Sequence, residues 1–165
     1  MEKEKGFTLI ELMVVVALLG ILGYGIVKFF TGTFRVWWQT GQQINAQQKA
    51  RTAMDEMTRF IRQASPATIV VGAQAGEDAN TMITFTHIDG RQISYYKSGD
   101  SLKRVVGGTT TDIIPEDLVS VYFVLDSTSS PTCVDISTLT VQTPVIGGER
   151  GSITFPRKRI FLRNP

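Results

Sequence analysis

Residues 7–27 form a run of twenty-one residues in which Glu11 is the only charge. As a helix at about 1.5 Å per residue this run reaches about 31 Å, close to the hydrocarbon thickness of a bilayer. The short charged stretch 1–6 precedes it, so the N-terminus reads as membrane-inserted. A secretory signal peptide has a shorter apolar region and a small-x-small cleavage site soon after it. Here the first Ala-x-Ala is Ala73-Gln74-Ala75, far downstream. An ordinary bitopic anchor fits the length. However, a carboxylate one turn inside the span costs about 2–3 kcal/mol if buried unpaired. Glu11 therefore needs a partner, or it must reach the headgroup layer and remain solvated.

The residues around that carboxylate suggest the partner. The segment Lys5-Gly6-Phe7-Thr8-Leu9-Ile10-Glu11-Leu12-Met13-Val14 resembles the leader and N-terminus of type IV prepilins and type II secretion pseudopilins. The resemblance implies that a prepilin peptidase cuts between Gly6 and Phe7 and methylates Phe7. It places Glu11 at the fifth mature position, where the family carries a glutamate thought to neutralise the N-terminus of a neighbouring subunit. The chemistry is compatible. An α-ammonium has an unperturbed pKa of about 8, so it is charged at neutral pH. A carboxylate and an ammonium buried together offset much of the cost that each incurs alone.

In the second half of the span Gly20, Gly23 and Gly25 permit local loosening, and just beyond it Lys28 stands near the place where many pilins carry a proline. Ala50, Ala53, Met54, Met57, Ile61 and Ala64 then recur at three- and four-residue spacing, which predicts one apolar helical face. Arg51, Asp55 and Arg59 form an i, i+4 ladder on another face, with Glu56 three residues before Arg59. Pro66 ends this pattern, giving a helix over 7–64 of roughly 87 Å. Trp37 and Trp38 lie beyond the span, at a lipid interface or against neighbouring subunits.

Strand signals follow at 68–71, 81–88, 91–97 and 101–106, with tight turns at Asp89-Gly90 and Ser98-Gly99-Asp100. Val119, Val121, Phe123 and Leu125 are read as one face of a further strand. The set closes with 134–143 and 152–162. The expected fold class is α+β and pilin-like, a long N-terminal helix packed on an antiparallel β-sheet head. Its divisions are a leader at 1–6, a transmembrane or filament-core helix at 7–27, an amphipathic continuation at 28–64 and a head at 65–165.

Several function classes are excluded or weakened. Charged residues are 19% of the chain and the net charge is +2, which argues against a nucleic-acid coat and against disorder. A single Cys133 and a single His87 leave no internal disulfide, multi-thiolate zinc site or His-rich metal centre. His87 beside Asp89 lacks any nucleophile motif and reads as a structural or surface histidine. Cys133 reads as an inert thiol. Asp112, Glu116 and Asp117 carry oxygen ligands for calcium, but no Asp-x-Asp-x-Asp-Gly loop is present and Pro115 interrupts them. No catalytic residue, cofactor or metal is therefore expected.

The segments Ala50–Asp55, Arg59–Ala64, Ile93–Tyr96, Leu102–Val105 and Leu118–Phe123, with Arg163-Asn164 near the end, resemble J-type minor pseudopilins and W-type minor pilins. With Cys133 alone, the C-terminal disulfide of many major pilins cannot form. The resemblance implies a structural subunit that joins or primes a filament of a type II secretion or type IV pilus system. Its partners would be the prepilin peptidase, other pilin or pseudopilin subunits, the inner membrane and its assembly platform, and secreted cargo. Its location would be the bacterial inner membrane, single-pass, with the head in the periplasm or outside. Charge is segmented, +4 over 28–64, −6 over 65–149 and +5 over 150–165. The basic tail (Arg150, Arg157, Lys158, Arg159, Arg163) would complement acidic regions of the same or an adjacent subunit. The rivals are a DNA-uptake pilin that uses this tail on phosphates, and an uncleaved bitopic membrane protein with an extracytoplasmic domain.

Overall fold

The computed structural model describes residues 8–129, 131–146 and 149–163. The chain divides into two compact units, Met1–Gly41 and Gln42–Pro165. Helix α1 (Leu9–Arg62) begins in the first unit, where its described side chains are all exposed. It passes without interruption through Gly20, Gly23 and Gly25, at each of which an added Cβ would meet nothing within 4 Å. The stretch long and apolar enough to cross a membrane is Leu9–Trp37, which carries the apolar character past the expected end at Val27.

In the second unit the architecture is α+β and pilin-like, as the sequence predicts. Ala50, Ala53, Met54, Met57, Ile61 and Ala64 are all buried, with Ala46 extending the same stripe. They meet Ile83, Phe85, Ile93, Tyr95, Val121 and Phe123 in a single apolar core. The stripe is rich in alanine and methionine, so the backbone of α1 can lie close to the sheet residues that face it.

Two antiparallel sheets are present. The first runs in the order β1 (Val70–Gly72), β2 (Met82–Thr86), β3 (Gln92–Ser98), β4 (Ser101–Val106), β5 (Thr109–Ile114). The second holds β6 (Leu118–Leu125) and β7 (Cys133–Ile146). Both β8 (Glu149–Phe155) and β9 (Lys158–Phe161) pair with β7. Ile83, Phe85 and His87 face inward together, and Gly90, at φ 85, supplies the left-handed residue that the β2–β3 turn requires.

Four expectations need correction. Thr68 closes a 3-10 turn (Pro66–Thr68) and is not in β1. Strand β5 is an addition that no strand signal marked. Val119 is 40% exposed whereas Leu118 is buried, because a register shift between Leu118 and Ser120 reverses the alternation. The stretch 152–162 is two strands, interrupted around Pro156, which cannot donate to a ladder. The ladder on α1 also differs. Asp55 pairs with Lys158, and Glu56 pairs with Arg104, so neither serves the helical arginines.

Candidate functional site

The candidate site is the start of α1. A helix leaves its first four N–H groups without internal acceptors. Here Thr8 precedes the helix and Glu11 lies three residues on, the spacing of a capping box. Glu11 Oε2 accepts the Thr8 backbone N–H at 2.9 Å and the Thr8 hydroxyl at 3.0 Å. In return, Thr8 Oγ1 accepts the Glu11 N–H at 3.3 Å. The first helical bond, from Leu12 N–H to Thr8 C=O, closes at 3.2 Å. Such a cap is worth about 1 kcal/mol, and the carboxylate also sits at the positive end of the helix dipole. Glu11 is the acid of the first turn, and both of its bonds use Oε2. Among the described residues Oε1 has no hydrogen-bond partner, so one carboxylate oxygen can accept from an incoming ammonium. Sequence reading identified Glu11 but overlooked the role of Thr8, although the Thr-x-x-Glu spacing carries it. Gly6 and Phe7, the expected cleavage and methylation positions, lie outside the described residues.

The other candidates are tied into the fold. His87 is 8% exposed. Its Nε2 lies 2.7 Å from Gln63 Oε1, and its Nδ1 lies 3.0 Å from Asp89 Oδ1. It thereby joins the end of α1 to the β2–β3 turn, with its ring edge-on to Phe60. Cys133 is buried, and desolvation pushes its thiol up, away from the reactive thiolate. Asp112 faces Lys103 at 3.7 Å, while Glu116 and Asp117 are exposed. Among the described residues no group of three or more His, Cys, Asp or Glu is placed to hold a metal.

The basic tail is largely engaged within its own chain. Asp135, 2% exposed, accepts from both Arg157 and Arg159, and the Arg159 contacts are 3.0 and 3.2 Å. The hydrogen bond from Arg159 is the main cause that holds the Asp135 carboxyl below its ordinary range. Lys158 reaches Asp55 at 3.2 Å and Arg150 donates to Gln142 at 3.0 Å. Sequence reading also passed over the cluster that buried Tyr95 forms with half-buried Glu56 and Arg104. Its members are 39 and 48 positions apart, and no local pattern links them.

Residues 1–23 match the model of the prokaryotic N-terminal methylation motif. No curated protein matches the chain. The matched segment contains the Thr8–Glu11 box and runs directly into the apolar stretch of α1. Motif and helix together support a type IV pilin/pseudopilin-like precursor with a single-pass membrane anchor, a class of structural subunit that implies processing by a prepilin peptidase and assembly with other pilin subunits.

Proposed function

We propose that the chain is a minor pilin or pseudopilin, most like the J-type and W-type branches. The observation that carries this reading is the methylation motif at residues 1–23, with Glu11 held at the helix start by hydrogen bonds that all use one carboxylate oxygen among the described residues. A prepilin peptidase in the bacterial inner membrane hydrolyses the Gly6–Phe7 bond and methylates the new amine of Phe7, which stays cationic. The single-pass precursor has its head in the periplasm or outside the cell, and the cleaved subunit joins or primes a secretion pseudopilus or a type IV pilus. In the filament core, Glu11 Oε1 accepts from the Phe7 ammonium of a neighbouring subunit. The pair sets the axial register, because either charge alone in that apolar core is costly. A DNA-uptake role draws less support, since Arg157, Lys158 and Arg159 are occupied by Asp135 and Asp55.

Two substitutions separate the pairing from the cap. Gln at the third helical position still serves a capping box but carries no charge. Glu11→Gln therefore keeps the helix start and loses the pairing. The expected result is normal insertion and cleavage with incorporation into sheared filaments reduced about tenfold, equivalent to about 1.4 kcal/mol. Glu11→Ala loses both. Wild-type incorporation of Glu11→Gln would refute the pairing.

A further inference from the structure

The apolar helical stretch Leu9–Trp37 is 29 residues long, whereas a bilayer core takes about 20. Length therefore does not fix where the helix sits in a membrane; its charges and aromatic residues do. Seating 7–27 in the hydrocarbon puts Glu11 one turn inside. It also leaves Phe29, Phe30, Phe34 and Trp37, each 53–72% exposed in this unit, outside the core.

We propose that the unassembled chain instead seats residues 12–31 in the hydrocarbon, and that Lys28, Arg35 and Trp37 form a contact surface for lipid headgroups. This register spans about 30 Å. It brings Glu11, with its Thr8 cap, to the headgroup layer on the leader side. On the other side Lys28 lies about one turn inside the boundary, and its four-carbon stem reaches the lipid phosphates. Lys28 Nζ lies 5.6 Å from the Tyr24 ring centroid, so the ammonium has an attractive neighbour on the deeper side as well.

Arg35 lies seven positions from Lys28 on the same helical face, about 10 Å farther along at a right angle to the bilayer plane when untilted. Phe30, Phe34 and Trp37 occupy the opposite face. Where the spanning helix leaves the hydrocarbon, both its cations and its aromatic rings thus meet the headgroup layer, the usual anchors of a span's end. Thr31 and Thr33 fit the boundary, because their hydroxyls already donate to the carbonyls of Val27 and Phe29 at 3.0 and 2.9 Å. The proposal is independent of leader processing and of which filament the subunit joins. It implies that assembly shifts Glu11 from a wet layer into the filament core.

Trp37 and Trp38 are the chain's two tryptophans, so emission excited selectively from tryptophan and not from tyrosine reports on this segment alone. The full chain is reconstituted in phosphatidylcholine vesicles containing phosphatidylglycerol, at a high lipid-to-protein ratio. The lipids are brominated either near the headgroup end or near the tail end of the acyl chain. The expected result is blue-shifted emission, quenched more strongly by the headgroup-end lipid. The double variant Lys28→Glu, Arg35→Glu should lower that quenching by about twofold. Water-like emission that neither lipid quenches would overturn the proposal. So would stronger tail-end quenching, quenching seen only at low lipid-to-protein ratio, or a double variant that behaves as wild type.

Discussion

Asp55 and Glu56 are adjacent acids on one helix, yet the structure assigns them very different weights. Glu56 Oε1 accepts from Arg104 Nη1 at 2.7 Å and from the hydroxyl of fully buried Tyr95 at 3.2 Å. The Glu56 and Arg104 side chains are only 20% and 22% exposed, and among the described residues the buried Arg104 Nε has no hydrogen-bond partner. Removing one member of a buried pair costs about 3–5 kcal/mol. Partial exposure lowers that figure by letting water reach Arg104, while the stranded tyrosine hydroxyl adds about 1 kcal/mol. Glu56→Ala should therefore destabilise the head by about 3 kcal/mol, and Glu56→Gln, which keeps an acceptor, by about 1–2 kcal/mol. Asp55, 79% exposed and 3.2 Å from Lys158, makes a surface pair worth under about 1 kcal/mol.

The assay is thermal unfolding of the detergent-solubilised chain, followed by far-UV circular dichroism of the strand signal. Glu56→Ala should lower Tm by roughly 10–15 °C and Asp55→Ala by under about 4 °C. Equal shifts would refute the claim that the Tyr95–Glu56–Arg104 cluster locks α1 onto the sheet.

Two further outcomes follow from single contacts. Hydrogen bonds, first from the Thr132 hydroxyl and also from the backbone N–H of Thr132 and Cys133, hold the Asp126 carboxyl down to about 2. A depressed carboxyl contributes stability above its unfolded value of about 3.9 and loses it as pH falls towards the folded value. Denaturant midpoints should thus drop between about pH 4 and about pH 2 in the wild type, and Asp126→Asn should flatten that part of the curve. A Cβ on Gly151 would meet Thr143 Oγ1 at 2.6 Å, so Gly151→Ala should cost about 1–3 kcal/mol, measured by denaturant unfolding. Adding Thr143→Ala should recover part of the loss.

The helical face was legible because Ala50 to Ala64 obey one period and face one core, so pattern and packing agree. The reading failed where tertiary pairing overrode local pattern. Val121, Phe123 and Leu125 were read on the inward face, but Val119 was placed with them because the bulge at Leu118/Ser120 leaves no mark in composition. Strand β5 (Thr109–Ile114) escaped because its first four residues are polar and exposed, so it has no buried face to alternate. The double pairing of β7 with β8 and β9 depends on contacts far apart in the chain. At the site, Glu11 was legible because an isolated charge in an apolar run is conspicuous. The long-range partner of His87, Gln63, and the partners of Asp135 lie 24 and 22–24 residues away. They became visible only once the sheets were assembled.

The most direct test of the central claim is mass spectrometry of the N-terminal peptide from chain extracted from the membranes of cells with an active prepilin peptidase. The account predicts a polypeptide that begins at N-methylated Phe7. A chain that still begins at Met1, in cells where other prepilins are processed, would contradict it.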